Sequence, residues 1–117
     1  MTSDRIELAV CETLELLDFN VTAKGYRYLV ETIILINNKY CDSLGDAYTH
    51  LSLKYKIGKS GIKSTIQRCV KSNIERSSHE ALVSVFGTDV RDNKSRNYYL
   101  TGEFIYRLMS YMNSKYK

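Results

Sequence analysis

The stretch LGDAYTHLSLKYKIGKSGIKSTIQRCVKSNI, residues 44–74, carries two apolar stripes on either side of a short glycine-containing segment. Apolar residues that recur every three or four positions predict amphipathic helices. The segment KIGK, residues 56–59, separates the two stripes, and Gly58 is free to adopt a positive φ there. Two amphipathic helices joined by such a turn predict a helix-turn-helix over about residues 44–75. The stripes are Leu44, Ala47, Tyr48, Leu51 and Tyr55, then Ile62, Ile66, Cys69, Val70 and Ile74.

A nucleotide-binding phosphate loop is the alternative interpretation of the same glycines and lysines. GKS is present at residues 58–60, but the Walker pattern requires glycine where this chain has Leu53. Such a loop also follows a buried strand, whereas an amphipathic helix precedes this one. The flanking residues therefore favour the helix-turn-helix, with Ser60 as the N-cap of its second helix.

The outer side of the second predicted helix is cationic. Residues 54–76 hold seven lysines and arginines against Glu75 alone, a net charge of +6, while the whole chain carries +4. A solvated charged face is the simplest explanation, but a one-sided field of this kind also favours a polyanionic partner. Lysine and serine contact DNA phosphates, and lysine, arginine and glutamine reach base edges in the major groove. The candidate DNA-binding residues are Lys54, Lys56, Lys59, Ser60, Lys63, Ser64, Gln67, Arg68 and Lys71.

Most of the remaining chain has the same helical periodicity, and no segment alternates convincingly with period two. We therefore predict an all-α fold, a single six-helix domain over residues 1–117 with the helix-turn-helix at its centre. Residues 88–99 have no period and are predicted to form a polar loop. The other predicted elements are a first helix over 3–18, a central second helix over about 26–34, a short helix that begins at a Ser77–Glu80 capping box and ends at Gly87, and a last helix capped by Thr101.

Composition excludes several classes of protein. There is no run of about 18 apolar residues and no secretory signal pattern, which predicts a cytoplasmic protein without a membrane partner. Three widely spaced cysteines are expected to be reduced, and two histidines are too few for a zinc site. Asp89 and Asp92 lack a metal-binding loop and are expected to be solvated. We expect no enzyme activity, no metal and no cofactor.

Three short motifs, in order, resemble a known family. KGYRYLVETI at 24–33 is similar to a KGY-x-YL-x-E-x-I signature, VFG at 85–87 to LFG, and EFIYRLMSYM at 103–112 to the start of a last helix. The chain thus resembles the C-terminal DNA-binding effector domain of the sporulation response regulator, the stage zero sporulation protein A family of endospore-forming bacteria. The resemblance implies six helices, a central helix-turn-helix, paired domains that form a homodimer on tandem promoter sites, and control of transcription.

The residues that contact bases in that family are not retained. The family has arginine, glutamate and arginine where this chain has Gly61, Lys63 and Ser64, so we expect a different target sequence. The family also contacts an RNA polymerase sigma subunit through the segment that corresponds to residues 77–90, where only Phe86, Gly87 and Val90 resemble the family. The predicted first helix already begins near residue 3, so we expect no phospho-acceptor receiver domain before it.

These observations predict sequence-specific binding of double-stranded DNA and regulation of transcription in a spore-forming bacterium or its mobile element. The alternative is a protein-interaction module of the same fold that has lost base readout, as Gly61 and Ser64 would suggest. An architectural or plasmid-related DNA binder is a third interpretation that the sequence leaves open.

Overall fold

The computed structural model describes residues 3–92 and 101–115. These residues form six α-helices and one 3₁₀ turn, and no strand is found among them, which confirms the predicted all-α class. Most of the predicted loop, residues 93–99, lies outside the described residues. The helices are α1 (Ser3–Leu16), α2 (Lys24–Asn37), α3 (Leu44–Tyr55), α4 (Lys59–Arg76), α5 (His79–Phe86) and α6 (Thr101–Lys115), and the 3₁₀ turn is Val90–Asp92.

The second helix, α2, is the centre of the fold. It packs against α1, α3, α4 and α6, and Leu29, Val30 and Ile33 are completely buried within it. Its apolar character follows from this position, because a helix with neighbours on several sides cannot keep a wide polar face. The core that surrounds it is built from the stripes read in the sequence, so α3 and α4 rest on a rigid support.

A glycine permits close contact between α2 and α4. A Cβ atom at Gly25 would lie 2.6 Å from the Cβ of Cys69 and 2.8 Å from the backbone oxygen of Thr65. Both distances are shorter than van der Waals contact, and the second involves backbone that cannot rotate away. Gly25 therefore fixes how closely α4 approaches the central helix.

The turn between α3 and α4 differs from the sequence prediction in its details. Lys56 adopts the left-handed conformation, with φ 56°, whereas Gly58 has φ −56°. Gly58 is the N-cap of α4, so Ser60 lies inside the helix rather than at its cap. Two hydrogen bonds between Ser52 and Ile57 stabilise the turn. Ser52 Oγ donates to the Ile57 carbonyl at 2.5 Å, and the Ile57 amide donates to the Ser52 carbonyl at 3.2 Å.

The caps around α5 and α6 are also displaced by a residue. Ser78, rather than Ser77, caps α5 by accepting from the Ala81 amide. Ser77 instead ends α4, and its buried hydroxyl donates to the carbonyls of Asn73 and Leu17, which joins α4 to the end of α1. Thr101 is the first residue of α6, where it is buried.

Candidate nucleic-acid interface

The helix α4 has one buried and one exposed face. Ile62, Ile66 and Val70 have no solvent exposure, and their spacing of four residues keeps them on one side of the helix. Every candidate DNA-binding residue of the sequence analysis is exposed. These exposed residues belong to α3, the turn and α4: Lys54, Lys56, Lys59, Ser60, Lys63, Ser64, Gln67, Arg68 and Lys71.

Four cations on this surface keep their charges uncompensated. Within residues 3–92 and 101–115, no ion pair or hydrogen bond engages the side chains of Lys56, Lys59, Lys63 or Arg68. An exposed lysine without an acidic neighbour retains its hydration and a mobile side chain, so little must be broken before it meets an anion. The cations are thus available to a polyanionic ligand.

Lys54 differs from the other candidate lysines because it already has an anionic partner. Its Nζ and the hydroxyl of Tyr55 both donate to the carboxylate of Glu31, which is largely buried on α2. This hydrogen bond raises the pKa of Lys54, and the same carboxylate raises the pKa of Tyr55. Arg27 extends the network, since it lies 3.8 Å from Glu31 and donates to Glu7 at 2.9 Å.

Gly61 contributes no side chain to the outer side of α4. A Cβ atom at this position would lie 3.1 Å from the Cγ2 of Ile57 in the turn. The site is half-buried beside that side chain, so a larger residue here would have to displace Ile57. Among the family's three base-contacting positions, this one can therefore offer only backbone in the present chain.

A groove that the sequence did not predict runs along the Lys59, Lys63 and Gln67 edge of α4. It has a volume of about 490 Å³ and is bounded by the first turns of α3 and α6. Short-range sequence patterns cannot join residues 44 and 101, which become neighbours only through the fold. The lining residues are Leu44, Gly45, Tyr48, Lys59, Lys63, Gln67, Thr101, Gly102 and Glu103.

The segment 77–90 is held by a buried carboxylate. Asp89 was expected to be solvated, but its exposed fraction is only 5%. Its carboxylate accepts a hydrogen bond from Arg91 Nη2 at 2.7 Å, and His79 Nδ1 lies 3.0 Å from the same oxygen. The bonds from Arg91, chiefly, hold the pKa of Asp89 well below its usual range. The expectation was wrong because local sequence gave no sign that Arg91 would fold back to donate to the Ser77 carbonyl as well.

Residues 77–90 resemble the family at three positions that have structural roles here. Phe86 packs on Phe104, with ring centroids 5.6 Å apart. Gly87 ends α5 with φ 80°, and Val90 is buried. The resemblance to the family at these three positions therefore concerns the packing and backbone conformation of the segment.

In the described part of the chain, no helix is long and apolar enough to cross a membrane. Cys11, Cys41 and Cys69 are free thiols, each half-buried. Among the same residues, no group of three or more acidic, histidine or cysteine side chains could hold a metal ion.

Comparison with known protein families gives a match over most of the chain. The family model described as "Sporulation initiation factor Spo0A C terminal" matches residues 10–112, which include α2 to α5 in full, the second half of α1 and most of α6. No curated protein and no solved structure matches the chain.

Proposed function

The chain belongs to the Spo0A C-terminal family, and from that premise we propose that it binds double-stranded DNA sequence-specifically through α3, the turn and α4. The family is the DNA-binding domain of a sporulation regulator, so DNA binding and transcription regulation are its general functions. We place the DNA contact surface on α4. We also propose that the protein regulates transcription at the nucleoid.

The observation that carries the proposal is the contrast between buried and exposed side chains on α4. A recognition helix must be rigid on the protein side and open on the DNA side. Ile62, Ile66 and Val70 supply the first property, and the uncompensated charges of Lys59 and Lys63 supply the second. Alternating charges along a helix face indicate a solvated surface helix, whereas the exposed face of α4 carries mainly cations, which favours a polyanionic partner.

The candidate residues divide into two roles. Lys56 and Lys59 lie at the turn and would contact phosphates, with Lys71 contacting the flanking backbone. Lys63 and Gln67 would reach base edges, since both side chains can hydrogen-bond in the major groove. Ser60, Ser64 and Arg68 complete the outer face, while Lys54 would contribute less because Glu31 already neutralises it.

Selection of duplexes from a random pool at physiological salt tests the proposal. We expect one enriched motif, bound by the purified chain with an affinity that falls as salt rises. Recovery of duplexes without any shared sequence would contradict specific readout. Capture of a regulator or of polymerase with no retention of any duplex would instead support the protein-interaction interpretation.

We also propose that two copies bind tandem sites and that the exposed part of residues 77–90 contacts a polymerase sigma subunit. His79, Glu80 and Val83 are exposed on α5 and would form that contact. The mass of the complex on single and tandem selected sites tests the first proposal. Pull-down of purified sigma subunit by wild type and by Val83→Ser tests the second, and equal capture would contradict it.

A further inference from the structure

The groove beside α4 brings two helix N-termini close to two lysines that have no partner among the described residues. Gly45 lies in the first turn of α3, Gly102 lies in the first turn of α6, and both line the groove with Lys59 and Lys63. The opening amides of a helix lack intrahelical acceptors and carry a partial positive charge. Asp46 and Glu103 lie in the first turns of these helices, and the remaining charges around the groove are positive, which favours an anion there.

The position of Lys59 shows how close these positive groups are. A Cβ atom at Gly45 would lie 3.6 Å from the Lys59 ammonium, so this cation rests directly over the first turn of α3. Ser43 accepts from the Asp46 amide, which leaves the amides of Leu44 and Gly45 without an acceptor in the part of the chain that the structure describes. An oxyanion at this point would be bonded by both the ammonium and the helix end.

Thr101 supplies an independent observation that points to a ligand. It lines the groove, it is 4% exposed, and its hydroxyl has no hydrogen-bond partner among residues 3–92 and 101–115. A buried hydroxyl without a partner is destabilising, and such groups are rare in native proteins. The residue before α6 in the sequence is a leucine, whose side chain has no oxygen to cap the helix.

The other polar groups of the groove are compatible with an anion. Glu103 is the one carboxylate in the lining, and its charge is balanced by Arg107, whose Nη2 lies 2.9 Å from Glu103 Oε1. Burial raises the pKa of Tyr48, and a tyrosine phenol is protonated at neutral pH even at its ordinary pKa of about 10, so it can donate a hydrogen bond. The described lining thus provides donors on several sides and no free acid.

We propose that this groove binds a phosphate group through the Lys59 ammonium, the Thr101 hydroxyl and the amides that open α3 and α6. In DNA, the phosphate would belong to the backbone beside the bases that α4 contacts, and this part of the inference rests on the proposed function. A free phosphate ion or monoester has the same chemistry and is the other source.

Thr101→Val tests the site with almost no change in side-chain shape. Thr32→Val is the matched control, because Thr32 is fully buried on α2, its hydroxyl has no partner within the described ranges either, and it does not line the groove. Without phosphate, both variants should unfold at the wild-type temperature or above it. In inorganic phosphate, compared with sodium chloride at equal ionic strength, wild type and Thr32→Val should gain stability and Thr101→Val should not.

Two duplex measurements distinguish the source of the phosphate. If it comes from DNA, Thr101→Val should bind the selected duplex about tenfold more weakly, as expected for one lost hydrogen bond to a charged group. Phosphate-ethylation interference should then lose one position relative to wild type. If inorganic phosphate stabilises wild type but the interference pattern of Thr101→Val is unchanged, the site takes free phosphate instead.

Lys59→Gln provides a second variant on an exposed side chain, so its folding is not in question. Equal phosphate stabilisation of wild type, Thr101→Val and Lys59→Gln, together with unchanged duplex affinity and interference, would overturn the inference. Absence of duplex binding by wild type would contradict the proposed function alone, because the stabilisation by inorganic phosphate is measured without DNA.

Discussion

The inner and outer faces of α4 are built on opposite principles. On the inner face every large side chain is buried, and Gly25 of α2 approaches the helix so closely that a methyl group would not fit. On the outer face Lys59, Lys63 and Arg68 are exposed and, among the described residues, unpaired. Stability is therefore concentrated on one side of a single helix, and the other side carries the exposed cations through which we propose that it binds DNA.

Mutations on the inner and outer faces of α4 should therefore have different effects on stability and on DNA binding. Inner-face changes should lower the free energy of unfolding and affect DNA binding only through the loss of folded protein. Outer-face changes should leave unfolding almost unchanged, within about 0.5 kcal/mol, and alter binding directly.

The largest expected effect is on the inner face at Ile66. Ile66→Ala should lower the free energy of unfolding by about 2–5 kcal/mol, because it opens a cavity at a fully buried site. Urea denaturation followed by circular dichroism measures the loss. Ser64→Ala, on the exposed face of the same helix, is the control and should unfold like wild type. If Ile66→Ala lowered the free energy of unfolding no more than Ser64→Ala does, the distinction between the two faces would be contradicted.

Gly25→Ala tests the close approach of α2 and α4. The added Cβ would overlap Cys69 and the backbone of Thr65, so we expect a net loss of about 1–3 kcal/mol. Gly45→Ala is the matched glycine control, since its Cβ would meet its neighbours at 3.6 Å or more. Because alanine favours helix over glycine, Gly45→Ala should be neutral or stabilising in the same denaturation experiment. Equal stability of the two variants would contradict the inferred clash.

Base readout should be sensitive at Lys63 and Gln67. Their replacement by alanine should reduce discrimination between the selected duplex and a single-base variant by about 1–3 kcal/mol. Lys56→Ala should weaken binding to both duplexes alike, because a phosphate contact carries no sequence information. Fluorescence anisotropy with both duplexes measures the difference. Loss of discrimination in Lys56→Ala but not in Lys63→Ala would reverse the assigned roles.

Lys54 and Lys56 offer the smallest and most selective comparison. Lys54→Ala leaves the buried carboxylate of Glu31 without its ammonium and should destabilise the fold by about 1 kcal/mol, since the lysine itself is half exposed to solvent. It should change the salt dependence of DNA binding less than Lys56→Ala, whose charge is uncompensated. An equal change in salt dependence for both variants would show that the Glu31 pair opens when DNA binds.

Much of the fold could be predicted from the sequence because helical periodicity is a local signal. The apolar stripes of α3 and α4 were sufficient to place both helices and to separate their inner and outer faces. The exact capping residues were harder to predict from the sequence. Ser77 and Ser78 both satisfy the chemistry of a cap, and only the contact between Ser77 and Leu17, sixty positions apart, decides between them.

The candidate site could be predicted only in part, for the same reason. The exposed cations follow from the sequence, but the pairing of Lys54 with Glu31 depends on how α2 and α3 meet. The groove requires residues 44 and 101 to become neighbours, and the burial of Asp89 depends on the return of Arg91. Each of these features is a long-range or tertiary contact, about which helical periodicity carries no information.

The salt dependence of duplex affinity tests the central claim most directly. The affinity of wild type for the selected duplex, measured between low and moderate salt, should fall with a logarithmic slope of about −0.9 for each phosphate contacted. Lys59→Ala should make that slope shallower by about one contact without changing the free energy of unfolding. A slope near zero for wild type, or an unchanged slope in Lys59→Ala, would contradict an account in which the outer face of α4 meets DNA.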